Sequence, residues 1–203
     1  MKKMVEMNLV KKNKAHLTPA ASVDTIDLRQ FLKFQLQPNF TAAIEINNNE
    51  KTIGIGSDSS PPIRVTEIIN MQLDLVVPIP HLPPAVMGVY NWRGEILWVV
   101  DLSRLLGLTN RTIERHRYNF KPTIAISTTA TTGSETKTIG LVVDEISEIE
   151  WYRSASIIET IADHQHPELW RWMRGYTGAV AGEKLAILDG RAIMKHADIH
   201  ADI

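Results

Sequence analysis

The sequence contains no cysteine, no excess of either charge and no apolar run near the length of a membrane span. Each absence removes a class of function. Without cysteine there is no disulfide scaffold, no thiolate metal cluster and no cysteine nucleophile. With 22 basic against 23 acidic residues the formal charge is -1, which offers no basic footprint for nucleic acid. No apolar run approaches the ~20 residues of a spanning helix. The start, MKKMVEMNLVKKNK, is basic but leads into more lysines in place of an apolar core. It does not read as a secretory signal, and a cytoplasmic location is expected. Phosphate-binding and hydrolase signatures are missing too: there is no Walker loop and no Gly-x-Ser-x-Gly elbow, and Gly54-x-Gly56 lacks a third glycine, a lysine and a following helix.

What remains is a chain of 203 residues, 44% of them apolar, long enough to bury a real core in one or two domains. Residues 1–28 show no sustained apolar period and read as a flexible extension. From Gln30 the pattern alternates: Leu32, Phe34 and Leu36 against Phe31, Lys33 and Gln35, as in a half-buried strand that turns at Pro38-Asn39. Residues 47–62, rich in Asn, Gly, Ser and Pro, read as a surface loop. Ile63 to Leu73 is a short apolar-rich element carrying Val65, Glu67 and Ile68.

The most constraining stretch runs from Leu75 to Leu108. Pro78, Pro80, Pro83 and Pro84 exclude a helix through its first third, because each fixes φ and removes a donor. Asn91-Trp92-Arg93-Gly94 makes a hairpin, and Ile96-Leu97-Trp98-Val99-Val100 has no polar alternate, so both faces of that strand are expected to be buried. Ile96, Trp98 and Val100 are expected to be buried in a first lobe, Leu141 and Val143 in a second. Asp101 is placed to cap a short helix carrying Leu102, Leu105 and Leu106, which Gly107 ends in a left-handed conformation. Arg93 has two available roles. Its guanidinium covers the Trp92 and Tyr90 rings, or it grips a carboxylate, Glu67 being the candidate, and the second is favoured.

The locally basic connector with Arg111, Arg115, Arg117 and Lys121 leads to a second β-half, with Ile124 and Ile126 inward and a strand at Ile139 to Val143. Ile157, Ile158 and Ile161 fall on one helical face, and Leu169, Trp170, Trp172 and Met173 are expected to fill core space. The halves rhyme: Gly94-Glu-Ile-Leu-Trp-Val-Val-Asp-Leu102 against Gly182-Glu-Lys-Leu-Ala-Ile-Leu-Asp-Gly190. Asp101, Asp144 and Asp189 each follow an apolar strand where a helix or turn is to be capped, which explains them without catalysis.

The spaced residues Pro80, Pro83, Gly88-Val89, Asn91, Arg93-Gly94, Asp101-Leu102 and Leu106-Gly107, with Val65-x-Glu67-Ile68 before them and Ile139-Gly140-Leu141-Val142-Val143-Asp144-x-Ile146-x-Glu148-Ile149 after, resemble the CheW-like adaptor domains of bacterial chemotaxis. The resemblance runs from about Gln30 to Met194. It implies a mainly β fold with a few short helices: two SH3-like five-stranded β-barrel lobes packed on a shared hydrophobic seam. The domain would span 29–203, with lobes at about 29–108 and 122–194 that are free to intertwine. It further implies a non-enzymatic adaptor, without cofactor, that joins the cytoplasmic tip of methyl-accepting receptors to the regulatory domain of a CheA-type histidine kinase at membrane-associated arrays. Val65, Glu67, Ile68, Gly88, Asn91, Arg93 and Gly94 would meet those partners. Gly190 departs from the family, where an apolar residue follows the aspartate, and weakens the expected C-terminal helix at its start.

Two other classes compete. A small β-barrel can be an autonomous ligand-binding module, and His164-x-His166 with His196-x-Asp198-x-His200 offers ligand spacing for a metal-dependent enzyme. Isolated histidine pairs near a chain end are more often solvated, and no metal is assigned.

Overall fold

The computed structural model describes residues 28–47, 63–108, 119–129, 136–158, 169–177 and 185–197. In chain order its strands are β1 (Leu28–Gln37), β2 (Phe40–Glu45), β3 (Ile63–Gln72), β4 (Val86–Trp92), β5 (Glu95–Asp101), β6 (Phe120–Thr129), β7 (Thr136–Val142), β8 (Glu145–Arg153), β9 (Ile157–Ile158), β10 (Met173–Thr177) and β11 (Ala186–Leu188). Helix α1 (Leu102–Leu105) follows β5, and α2 (Gly190–His196) follows β11. The expected N-terminal extension lies outside the described residues up to position 27, as do most of the 47–62 loop and the basic connector.

The strands form two sheets, ordered β8-β1-β2-β11-β10-β9 and β3-β6-β7-β5-β4. Strands from the two halves of the chain are exchanged between them. The first pair, β1-β2, lies with β8, β10 and β11, whereas β3, β4 and β5 lie with the later pair β6-β7. Position for position the sheets correspond: β8 to β3, β1 to β6, β2 to β7, β11 to β5 and β10 to β4. Both contain one parallel pairing at the corresponding place, β11 on β2 and β5 on β7. Neither sheet therefore coincides with the expected segment 29–108 or 122–194: one strand order occurs twice, and each sheet draws strands from both segments.

Side-chain alternation explains the three buried clusters seen among the described residues. Leu32, Phe34 and Leu36 of β1 meet Ile124, Ile126, Ile139 and Leu141 of β6 and β7 in a central cluster shared by both sheets. Facing the other way, Phe31 packs with Ala43, Leu185 and Ile187 inside the first sheet. Met71, Leu73, Met87, Leu97 and Val99 fill the second sheet's interior. Phe31 therefore does not alternate outward with Lys33, because a curled sheet has an apolar interior of its own. Each fully buried large side chain here contributes about 1.5–3 kcal/mol.

Several sequence expectations are met and several are corrected. Val100, Leu141 and Val143 are buried and Trp98 is half-buried, but all four belong to or pack on the one central cluster instead of being divided between two lobes, and Ile96 is 72% exposed. It is the second residue after the Arg93-Gly94 turn and sits opposite exposed Asn91. Leu97 and Val99, with Val100, are what bury both faces of β5. Leu169 and Trp172 are buried as expected, whereas Trp170 points to solvent. Ile157 and Ile158 are strand, not helix, and pair with Thr177 and Tyr176. Gly190 does begin α2, with Asp189 as its cap accepting from the Arg191 N–H at 2.9 Å. A Cβ there would come within 3.0 Å of Ile63 Cγ2, so glycine lets the helix start seat on the core. Asp101 caps α1 by accepting from the Arg104 N–H at 3.1 Å, and Gly107 has φ 75°. Asp144 caps no helix; it pairs with Lys121 Nζ at 2.8 Å at the bend between β7 and β8.

Candidate functional site

The candidate surface is built by the β4-β5 hairpin and by β3. In the hairpin, Arg93 (φ 57°) and Gly94 (φ 87°) both adopt left-handed backbone, the two-residue turn that suits the twist of paired strands. The Asn91 side chain closes the turn, its Oδ1 accepting from the Gly94 N–H at 3.0 Å. Left-handed backbone at a non-glycine residue costs about 1–2 kcal/mol, so the turn stores strain at the residue it presents.

From this turn Arg93 Nη2 reaches both oxygens of Glu67, at 3.0 Å to Oε1 and 2.9 Å to Oε2. The guanidinium also lies 5.2 Å from the centre of the Trp92 ring. The arginine therefore grips the carboxylate and also covers the Trp92 ring of the two rings expected. Its side chain stays 71% exposed. A pair this exposed contributes at most about 1 kcal/mol to stability, so its geometry is better understood as presentation than as glue.

Strand β3 supplies the other half through a bulge. Val65 pairs with Ile126 and Ile68 with Ile124, three steps on β3 against two on β6. The extra residue puts Val65 and Ile68 toward the central cluster and Glu67 on the opposite face. Thr66 anchors the bulge, its hydroxyl donating to the Ala125 carbonyl at 3.1 Å. Val65 is half-buried against the central core, while Ile68 is 45% exposed.

Gly88 plays a different part. It is buried, has φ 135°, and a Cβ on it would lie 2.0 Å from the Val77 carbonyl oxygen. The close approach belongs to the antiparallel bridge between Val77 and Val89, whose N–H groups donate to each other's carbonyls at 2.8 and 2.9 Å. This bridge ties the chain just beyond β3 to β4, joining the two ends of the sheet order. Of the seven residues expected to meet partners, Glu67, Asn91, Arg93 and Gly94 come together at the surface; Ile68 is exposed on the other face of β3, Val65 packs on the central cluster, and Gly88 holds the frame.

Charges elsewhere are engaged in the fold. Glu45 is buried between Arg174 Nη1 at 2.6 Å and Arg29 Nη1 at 3.5 Å, and burial raises its pKa although both arginines oppose the rise. Asp101 is likewise raised by burial, against the Arg104 N–H. Lys33 is raised chiefly by its bond to Glu150. A cavity of about 240 Å³ lined by Gln37, Phe40, Leu106, Leu108 and Leu169 is smaller than most ligand sites, and Gln37 in its wall donates to the Leu108 carbonyl at 2.8 Å. Of the metal candidates, His164, His166, Asp198 and His200 lie outside the described residues. His196 sets Nδ1 2.9 Å from the Ala192 carbonyl and its ring edge against Trp172. Among the described residues no three His, Asp or Glu side chains cluster as a metal site, and no helix is long and apolar enough to cross a membrane.

Sequence reasoning missed one exposed row, Ile149 and Trp151 on β8, and the exposure of Ile96 beside the hairpin. The available signal for the first was the recurrence of Val65-x-Glu67-Ile68 as Ile146-x-Glu148-Ile149.

No curated protein matches the chain significantly. Among solved structures it is similar to the scaffolding protein TtCheW from Thermoanaerobacter tengcongensis, with 17% identity, a TM-score of 0.55, and coverage of 79% of this chain and 88% of that one. Residues 61–198 match the family described as the CheW-like domain. With the exchanged two-sheet fold, the bulged β3 and the Arg93 turn all lying in or reaching into that span, the chain belongs to the CheW-like domain family.

Proposed function

We propose that this protein is a non-enzymatic adaptor of a taxis system, joining the cytoplasmic tip of a methyl-accepting receptor to the regulatory domain of a CheA-type histidine kinase. The observation that carries this reading is the Glu67-Arg93 pair, held by a strained turn and a bulged strand yet left in solvent on a CheW-like fold. Buried interiors of both sheets are filled by side chains, so function belongs to outer surfaces. Asp101 and Asp189 are committed to helix caps and Asp144 to Lys121, which accounts for the acids at the strand ends without catalysis.

An adaptor acts by binding receptor or kinase states with unequal free energy, so its effect is a change in kinase output that requires no turnover. The direct test is reconstitution of the cognate kinase with a receptor cytoplasmic fragment. Addition of the protein should change kinase autophosphorylation in a receptor-dependent manner, and folded Arg93→Glu protein should fail to do so. Kinase output indifferent to the protein, with no association to either partner, would remove the reading.

A further inference from the structure

Taking the Glu67-Arg93 surface as the site, we infer that Glu45, remote from it in the first sheet, is a positioning residue that fixes the β3 bulge on which Glu67 stands.

Glu45 ends β2 where a carboxylate is expensive to keep. Its side chain is only 8% exposed, and a different arginine holds each of its oxygens: Arg174 Nη1 lies 2.6 Å from Oε2 and Arg29 Nη1 lies 3.5 Å from Oε1. Arg29 belongs to β1 and Arg174 to β10, so three strands of the first sheet are tied at one carboxylate. Apolar side chains fill the rest of that interior, Phe31, Ala43 and Ile187 among them. A buried ion cluster adds little to stability over an apolar residue of the same size, because lost hydration offsets the attraction. Its best-attested use is to fix register.

What Glu45 fixes lies one residue further on. The Ile46 N–H donates to the Gln30 carbonyl of β1 at 2.9 Å, and the Ile46 carbonyl accepts from the Val65 N–H of β3, also at 2.9 Å. Asn47 then forms an antiparallel bridge with Arg64. The backbone of the first sheet is thus joined to the second at the first residue of the β3 bulge. From Val65 the bulge runs through Thr66, anchored to Ala125, to Glu67 and its contact with Arg93. Ion pairs, peptide bonds and hydrogen bonds make an unbroken path from Arg174 through Glu45, Ile46, Val65 and Glu67 to Arg93. The far end is sensitive to small shifts, since one Arg93 nitrogen reaches both Glu67 oxygens at 2.9 and 3.0 Å. Freed from its arginines, the end of β2 would move the Ile46 carbonyl, and Val65 would follow it.

The test is backbone-amide NMR and amide hydrogen exchange on the full chain at neutral pH, comparing wild type with Glu45→Gln, Arg174→Gln and Ile187→Val. Glu45→Gln keeps the shape of the side chain and removes the charge that both arginines hold. Its Thr66, Glu67 and Gly94 amide resonances should shift, and the Val65 N–H should exchange at least about tenfold faster relative to the Leu141 N–H of the same sheet. Arg174→Gln should move the same amides in the same direction. Ile187→Val takes a methyl group from the same interior and reports general loosening of the first sheet; it should leave the bulge amides in place. Should Glu45→Gln fail to fold, Arg174→Gln decides alone. Shifts that stop at Asn47, exchange at Val65 and Leu141 that changes together, or bulge amides moved as far by Ile187→Val would each overturn the assignment. All of these readouts are taken on the free protein, so they stand or fall independently of whether a receptor or kinase binds the surface.

Discussion

Gly88 sits so close to Val77 that a Cβ on it would lie 2.0 Å from the Val77 carbonyl oxygen and 2.9 Å from the Pro78 Cα. Both obstacles are backbone, so neither can turn aside, and the positive φ is unfavourable to any other residue. Gly88→Ala should cost more than about 2 kcal/mol and could prevent folding, because the bridge that joins the ends of the second sheet must open. Gly94 provides the contrast. Among the described residues nothing lies within 4 Å of its Cβ position, so Gly94→Ala should cost only the backbone strain, about 1 kcal/mol. Urea unfolding of the two variants measures the difference, and equal costs would show that the Val77 contact relaxes freely.

Strand β5 allows a residue-by-residue test of the layered core. Leu97→Ala should cost about 2–5 kcal/mol, since Leu97 is wholly buried within the second sheet. Ile96→Ala, on a side chain 72% exposed, should stay within about 0.5 kcal/mol. A loss at Ile96 as large as that at Leu97 would mean that the strand is one residue out of register.

These neighbours also show where sequence reading reached its limit. The run Ile96 to Val100 correctly indicated a strand buried on both faces, because it has no polar alternate. It could not indicate that the buried span begins at Leu97, which depends on how far the other layer extends. The turn at Arg93-Gly94, the cap at Asp101 and the end of α1 at Gly107 were legible because turn and cap chemistry is local. Exchange of β3 and β8 between the sheets was not legible, because ladder partners are chosen by packing between residues far apart in the chain: Lys33 meets Glu150 at a separation of 117. Ile157 and Ile158 were misread as helical since a short apolar pair fits either period. Glu67 and Arg93 could be paired from sequence only as one option of two, and the structure shows that pair together with cover of the Trp92 ring.

Glu45 gives the fold a pH dependence whose sign follows from its surroundings. Burial raises its pKa above the ordinary value of 4.5 despite Arg29 and Arg174. The native state therefore holds this proton more tightly than the unfolded chain does. The stability it contributes is full below about pH 4.5 and is lost as pH rises through the raised native value. Glu45→Gln keeps the shape of the side chain and abolishes the titration. The unfolding free energy of the variant relative to the wild type should thus shift in the variant's favour between pH 4 and pH 7, about the window set by the ordinary carboxylate range. Denaturant melts across that range measure it; a difference that stays flat, or moves the other way, would show that the arginines outweigh burial.

The Glu67-Arg93 pair is where stability and binding should separate. With the arginine 71% exposed, Arg93→Ala and Glu67→Ala should each change stability by less than about 1 kcal/mol. Arg93 lies in left-handed backbone, so Arg93→Gly should be neutral or slightly stabilising, which isolates turn strain from side-chain contacts. For association with the receptor tip or the kinase regulatory domain the expectation is larger, about 2 kcal/mol or more for Arg93→Glu, because arginine at the centre of an interface is among the residues that dominate affinity. Glu67→Ala should act in the same direction. Since one nitrogen of Arg93 touches both oxygens of Glu67, the two losses should not add: the double variant should bind better than the sum of the single changes requires, by about 0.5 kcal/mol or more. Calorimetry or surface-based binding assays on the four proteins complete the cycle. Additive losses would mean that the two side chains act on partners independently, and unchanged affinity in folded Arg93→Glu protein for both partners would place the binding surface elsewhere.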